Sequence, residues 1–271
     1  MSEKILLMSD IHITEAGVDI FGLNPADRFR LCLEDAIEHH ADAGHLFLMG
    51  DLTEHGYHNE YKILKEMLKR QPFEFTLMLG NHDRRSMFLK AFPNLIEGFQ
   101  QGSKKFGETT ILYLDTLDED AKNLHGGLLC QERLRWLETN LSSGSTQILI
   151  LAHHHMLTSG FNALDEINLL NGRYVAEAIA ASRCCQMVIS GHVHRTLVST
   201  FRGVTHAMIK SPCHQMPMVL GSGPCSLSVP EPGGYGVLLL HEESPVLHHV
   251  TIDLPVSSDI QSSDSNSQNL S

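Results

Sequence analysis

The chain has 271 residues, a net charge of -12 with histidines neutral, and 18 histidines. That length suits one large α/β domain or two small ones with a substantial core. The acidic balance argues against a groove for long nucleic acid, which needs clustered Lys and Arg. No apolar stretch reaches the roughly 18 residues of a membrane span, and the N-terminus lacks the charged and apolar regions of a secretion signal. The six cysteines form no CxxC pair, so reduced thiols in a cytoplasmic protein are expected.

In chain order, Lys4-Ile5-Leu6-Leu7-Met8 carries an unbroken apolar run and stops at Ser9-Asp10-Ile11-His12. Such a run predicts a strand buried on both faces. On extended backbone, Asp10 and His12 would point to the same side. A Gly-containing loop follows through Gly22. Asn24-Pro25 then reads as N-cap and N1 of a helix over 25–40, with Phe29, Leu33, Ala36 and Ile37 inward. A strand over 45–49 stops at Gly50-Asp51. A helix over 60–70 leads to a strand over 75–79, which stops at Gly80-Asn81-His82-Asp83. This alternation predicts parallel pairing with right-handed crossovers.

Further on come a fourth strand over 109–115, a helix within 127–141 and a strand over 147–152 that stops at His153-His154-His155. A helix over 173–181 precedes a strand over 186–190, which stops at Gly191-His192-Val193-His194. Runs near 204–209, 235–240 and 246–252 are expected to form a second sheet. Residues 256–271 are rich in Ser, Asp, Asn and Gln, which predicts a disordered tail after a single domain over 1–255. Arg84 and Arg85 read as a solvated helix start, and His125 and His206 are left open.

Five strand-like runs thus end in metal-type ligands: Asp10/His12, Asp51, Asn81/His82, His153 and His192/His194. Asp10 and His12 alone read equally well as a capping carboxylate and a surface histidine, and each of the other pieces is weak alone. Parallel strands, however, bring their C-terminal ends to one edge, where open sheets hold ligands. Oxygen ligands mixed with imidazoles suit Mn, Fe, Co or Zn. Seven ligands exceed one tetrahedral ion and suit two ions about 3.5–4 Å apart. Glycines before Asp51, Asn81 and His192 are expected to turn the chain off the strand.

In this order, Asp10-Ile-His12, Gly50-Asp51-(x)4-Gly56, Gly80-Asn81-His82-Asp83, His153-His154 and Gly191-His192-Val-His194 resemble the blocks of calcineurin-like metallophosphoesterases. The resemblance runs to about Leu254. It is nearer to bacterial class III cyclic nucleotide phosphodiesterases and the related glycerophosphodiesterases. Gly126-Gly127-Leu128 ahead of a Trp-Leu-Glu helix supports that branch, as does Ser211-Pro-Cys-His214-Gln-Met-Pro217, which looks like the late His-Gln-x-Pro block.

The resemblance implies a four-layer α/β/β/α sandwich with two mixed β-sheets. It also implies two divalent or trivalent metal ions (Mn, Fe, Zn or Co). Asp10, His12 and His194 would hold the first, and Asn81, His153 and His192 the second, with Asp51 bridging. Asp51, Asn81 and His82 form the implied catalytic set. His82 would protonate the leaving oxygen, and Asn81, His82 and His214 would contact the substrate phosphate. Asp83 and nearby carbonyls would orient His82 and the ligand imidazoles. His155 stands where many relatives carry Pro, so three histidines run together. His154 is expected as an outer or packing residue.

The implied reaction is hydrolysis of a small phosphodiester, either a cyclic nucleotide or a glycerophosphodiester, by metal-activated hydroxide without a covalent enzyme intermediate. Long nucleic acid and membrane are not expected partners, and a homo-oligomer is possible. Two rivals stand beside this. One is a phosphomonoesterase, whose relatives carry an Arg before the glycine of the Gly-Asp block and often Glu after Asn-His, where this chain has His55 and Asp83. The other is a non-catalytic metal-binding scaffold, whose signature would be lost ligands. The stretch 212–230 would line the cleft or form a dimer contact.

Overall fold

The structure is a computed structural model describing residues 3–95, 98–121, 125–144, 147–222 and 228–253. The first half alternates β1 (Glu3–Met8), α1 (Pro25–His39), β2 (His45–Met49), α2 (His58–Leu68), β3 (Phe75–Met78) and α3 (Arg85–Ala91). After these come β4 (Gly102–Phe106), β5 (Thr109–Leu114), α4 (Gln131–Leu141), β6 (Gln147–Ala152), α5 (Asn162–Asp165), α6 (Gly172–Ser182) and β7 (Cys185–Ser190). The chain closes with β8 (Leu197–Phe201), β9 (Val204–Met208), β10 (Gly233–Leu240) and β11 (Pro245–Ile252). Asn24 caps α1 as its sequence predicts, its side-chain oxygen accepting from Asp27 N at 3.0 Å, with Pro25 in the first turn.

Two mixed sheets result, ordered β11-β10-β1-β2-β3 and β4-β5-β6-β7-β9-β8. In the first, β1, β2 and β3 run parallel and β10 returns antiparallel to β1. In the second, β5, β6, β7 and β9 run parallel, with antiparallel β4 and β8 at the edges. Side chains alternate across each pleat. Leu6, Met8, Leu46 and Leu48 pack with Phe29 and Leu33 of α1, Tyr61 and Leu64 of α2 and Phe88 of α3. Ile5, Leu7, Phe47 and Met49 face the other way, onto Ile111, Leu149, Leu151 and Ile189 of the second sheet. That sheet's outer side chains, among them Leu112 and Ile150, pack with Leu137 of α4 and Val175 and Ile179 of α6. The layers are therefore α/β/β/α, and the doubly buried strands explain the unbroken apolar runs.

The late strands do not form a sheet of their own. Residues 204–208 pair with β7, while β10 returns to β1 and β11 pairs with β10 at the edge of that sheet. An apolar run records burial but not which partner it meets. The edge strands β4 and β8 escape the sequence reading because they are half exposed. Lys104 and Lys105 on β4 suit an edge that must not pair further. Arg85, expected in solvent, instead donates to the buried Asp115 carboxylate at 2.5 Å, and Gln100 N donates to the same group. Cys32, Cys130, Cys184, Cys185 and Cys213 are free thiols. Among the described residues, no helix is long and apolar enough to cross a membrane. The tail expected at 256–271 lies outside the described residues.

Candidate metal centre

β1, β2, β3, β6 and β7 all open at one edge of the paired sheets, and the chain leaves β1, β2 and β7 on strained backbone. Asp10 (φ 58°), His12 (φ 49°), Asp51 (φ 47°), His192 (φ 67°) and His194 (φ 52°) are all left-handed. Each such residue costs about 1–3 kcal/mol and persists only where its surroundings over-determine it. Here Asp10 N donates to Gly50 O at 3.0 Å and His12 N to Asp51 O at 2.9 Å, lacing the exits of β1 and β2 together. Asp10 and His12 therefore do not share a side through extended backbone, since β1 ends at Met8. Two left-handed residues flanking the buried Ile11 turn them inward instead.

The motif glycines act in two ways. Gly50 is left-handed (φ 97°), as a sharp turn requires. Gly80 and Gly191 are not; they are small because the ligands press on them. A Cβ on Gly80 would sit 2.3 Å from Asp51 Oδ1, and one on Gly191 would sit 2.6 Å from Asp10 Oδ2.

All seven residues expected as ligands converge and are buried. Asp51 Oδ2 lies 3.8 Å from His12 Nε2 and 3.3 Å from His153 Nε2. On one side, His194 Nε2 is 3.1 Å from His12 Nε2 and 3.3 Å from Asp10 Oδ1. On the other, His153 Nε2 is 3.2 Å from Asn81 Oδ1. Backbone amides fix the carboxylates: His82 N donates to Asp51 at 2.8 Å and His192 N to Asp10 at 3.0 Å. Three imidazoles donate Nδ1–H outward, His12 to Glu54 Oε2 (2.7 Å), His153 to Met49 O (3.0 Å) and His194 to His214 O (2.9 Å). With the rings neutral, that tautomer leaves each Nε2 lone pair facing inward, the usual arrangement behind a metal-binding histidine. Two lone pairs 3.1 Å apart repel unless a proton or cation lies between them. His192 Nε2 is buried without a hydrogen-bond partner. The donor set fits bound cations.

The other two histidines of the triple run are engaged elsewhere. His154 accepts from Thr116 Oγ1 at 2.7 Å and donates to His125 O at 3.1 Å, so both its nitrogens are used, as an outer residue's would be. His155 pairs with Asp165 at 3.1 Å.

Charge follows the geometry. Burial opposes ionisation of Asp10 and Asp51, yet the imidazoles win. His194 and His153 hold Asp10 below the usual carboxylate range, and His153, His82 and His12 hold Asp51 well below it. His153 is raised to about 9, with Asp51 and Asp10 overcoming its burial. His82 is also raised, against its burial, by Asp51 and Glu54. Burial drives His12, His192 and His214 down towards the neutral form.

Asp83 is equally buried, but there burial and Asp51 prevail and push it up to about 6. It does not orient His82. It accepts from Leu52 N, Gly80 N and Tyr61 OH, pinning the loops after β2 and β3. His82 is held by Glu54, whose carbonyl accepts from its Nδ1 at 2.8 Å. Glu54 thus supports both His12 and His82. Sequence reasoning missed it because it is one acid among many, and its only signal is its place inside the Gly50-to-Gly56 block. His125, left open by the sequence, lies 3.0 Å from Asn81 Nδ2.

A cleft of about 380 Å³ opens onto the cluster. Its lining combines His12, Asp51, Asn81, His82, His192, His194 and His214 with the apolar Ile20, Phe21, Leu164, Ile167 and Met216. His214, Met216 and Ser228 of the 212–230 stretch line the cleft. Ser228 also bonds His214 Nδ1.

Residues 3–196 match the family model described as calcineurin-like phosphoesterase. A probable cyclic nucleotide phosphodiesterase of Rhodopseudomonas palustris is 31% identical over 90% of this chain and 91% of its own length. A probable glycerophosphodiester phosphodiesterase of Arcobacter nitrofigilis is 27% identical over 74% of this chain and 75% of its own. A dimetal phosphatase from Danio rerio has the same fold, with a TM-score of 0.70 at 14% identity, covering 94% of this chain and 99% of that one. From its ordered motifs, its paired sheets and these matches, the chain belongs to the calcineurin-like phosphoesterase family.

Proposed function

We propose that this chain, acting as one unit over 1–255, is a cytoplasmic phosphodiesterase for small phosphodiesters and holds two metal ions of the Mn, Fe, Zn or Co type. One observation carries the reading. Asp10 and Asp51 are buried together among His12, His153 and His194, and Asp51, His12 and His194 line a cleft open to a small substrate. Asp10, His12 and His194 form one ligand group, Asn81, His153 and His192 the other, and Asp51 lies between. Bound there, the cations would neutralise phosphate charge and acidify water.

The chain's own groups do the remaining work. His82 gives its Nδ1–H to Glu54 O, which leaves Nε2 towards the cleft, and the acids nearby favour its protonated form. It is the proton donor to the leaving oxygen. Asn81 and His214 contact the phosphate, and the Glu54 carboxylate keeps His12 in its tautomer. The names of the relatives favour diesters over monoesters. His55 supports no phosphatase role, since it pairs with Glu60 and stacks on Tyr57.

The test is hydrolysis of bis(p-nitrophenyl) phosphate beside p-nitrophenyl phosphate by metal-stripped protein reloaded with Mn²⁺, Zn²⁺, Co²⁺ or Fe²⁺. Metal-dependent preference for the diester is expected. Preference for the monoester would move the chain to the phosphatases, and inertness with two ions bound would make it a scaffold.

A further inference from the structure

Phe21 stands out on three counts. It is a large aromatic side chain, 57% exposed, on the wall of the cleft. Its backbone is left-handed at φ 49°, and the next residue, Gly22, is left-handed at φ 69°. Ile20 and Leu23 exchange both backbone hydrogen bonds around them, each at 2.9 Å. Two left-handed central residues in a two-residue connection belong to the turn class that favours Asn-Gly or Asp-Gly. A bulky residue in that place is an outlier, and Phe has no polar group to offset the strain as Asn does.

The surroundings hold this turn still. Leu23 is buried, Asn24 caps α1 and reaches Asp19, and Thr14 Oγ1 donates to Val18 O at 2.6 Å. The ring of Phe21 meets His214 edge to face at 5.9 Å. The apolar side chains Leu164, Ile167 and Met216 line the same cleft. Strain kept where nothing in the fold's interior needs the side chain points to a role at the surface.

We infer that the Phe21 turn is a specificity element that grips a planar, apolar ester substituent of the substrate, such as a heteroaromatic base or an aryl ring, against flexible polyol or amino-alcohol groups. This rests on the phosphodiesterase reading and adds which side of the cleft reads the alcohol. The phosphate sits at the histidine end, and a flat substituent lies on the free face of Phe21. A glycerol or ethanolamine group gains little there, because it offers no ring face to stack.

The test compares wild type with Phe21→Asn and Phe21→Trp. Asn suits the left-handed turn and removes the ring; Trp keeps an aromatic face. Each variant is referred to wild type on the same substrate, so intrinsic leaving-group reactivity cancels. With Phe21→Asn, KM for bis(p-nitrophenyl) phosphate and for a cyclic nucleotide should rise about tenfold, with kcat within about twofold, while glycerophosphoethanolamine turnover stays unchanged. Tm of Phe21→Asn should equal or exceed that of wild type, and Phe21→Trp should keep KM near wild type. Calorimetric binding of adenosine 5′-monophosphate against glycerol 3-phosphate on the same proteins decides the inference even where no diester is turned over. Selective loss of the nucleotide in Phe21→Asn supports it. Equal loss of both ligands, or no loss, overturns it and leaves the diesterase reading to its own assay.

Discussion

The two sheets contribute to the centre unequally. The first supplies every candidate oxygen ligand, Asp10, Asp51 and Asn81, together with His12. The second supplies only imidazoles, His153, His192 and His194. At the first sheet, Asp10, His12 and Asp51 sit on strained exits bonded to one another. At the second, His153 follows β6 directly and reaches across, donating Nδ1–H to Met49 O of the first sheet. Neither sheet alone holds all seven candidate ligands. Apolar contact between Ile5, Leu7, Phe47 and Met49 and the facing Ile111, Leu149, Leu151 and Ile189 sets the two edges flush. The chemistry is thus a product of packing, and each half of the comparison can be broken separately.

The largest effect should come from the residue between the two groups. Asp51→Ala removes the carboxylate facing His12 and His153. Metal content should fall, and diester turnover should drop by about a thousandfold or more; elemental analysis and initial rates on one preparation check both. Next comes His82→Ala, which removes the proposed proton donor and none of the proposed ligands. It should keep its metal and lose about a hundredfold or more in kcat. Equal metal loss in the two variants would contradict that division of roles.

Leu149 and Leu64 sharpen the packing claim, because both are fully buried but in different layers, Leu149 between the sheets and Leu64 beneath the helices. Each change to Ala should cost about 2–5 kcal/mol in denaturant unfolding. Only Leu149→Ala should also weaken metal binding in titrations of the folded protein, since only it lies where the two edges are set. Matching metal affinities in the two variants would show that the centre tolerates a gap between the sheets.

The smallest effect concerns His45 on β2, which packs on Phe47 and Phe106 and bonds Thr76 Oγ1 at 2.9 Å. Burial lowers its pKa to about 4. The folded state then binds fewer protons than the unfolded chain between about pH 6.5 and 4. Stability contributed by neutral His45 is full above that window and is lost as pH falls through it, by about 1–2 kcal/mol after allowance for solvent screening. His45→Gln should flatten that part of a stability–pH profile measured by urea unfolding, and an unchanged slope would remove His45 from the acid response.

The positions of the candidate ligands were legible because each follows an apolar run, and a run buried on both faces announces a strand end. The Asn24-Pro25 helix start was legible for a similar reason, since capping chemistry is local. Partner choice was not. The apolar run of β10 reads the same beside β1 as it would in a separate sheet, and the lysine-bearing β4 reads as loop. Left-handed backbone at Asp10 and His12 is imposed by the bonds between the exits of β1 and β2, which lie far apart in sequence. Glu54 and Phe21 carry no pattern of their own. One is an acid in a loop and the other an exposed aromatic, and only the fold puts them beside His12 and over the cleft.

The most direct test of the central claim is the metal stoichiometry of the reconstituted wild-type chain, measured by elemental analysis after removal of loosely held ions. The account predicts two ions per chain, both released together with diesterase activity by a strong chelator. One ion or fewer at saturating metal, or full activity after chelation, would contradict it.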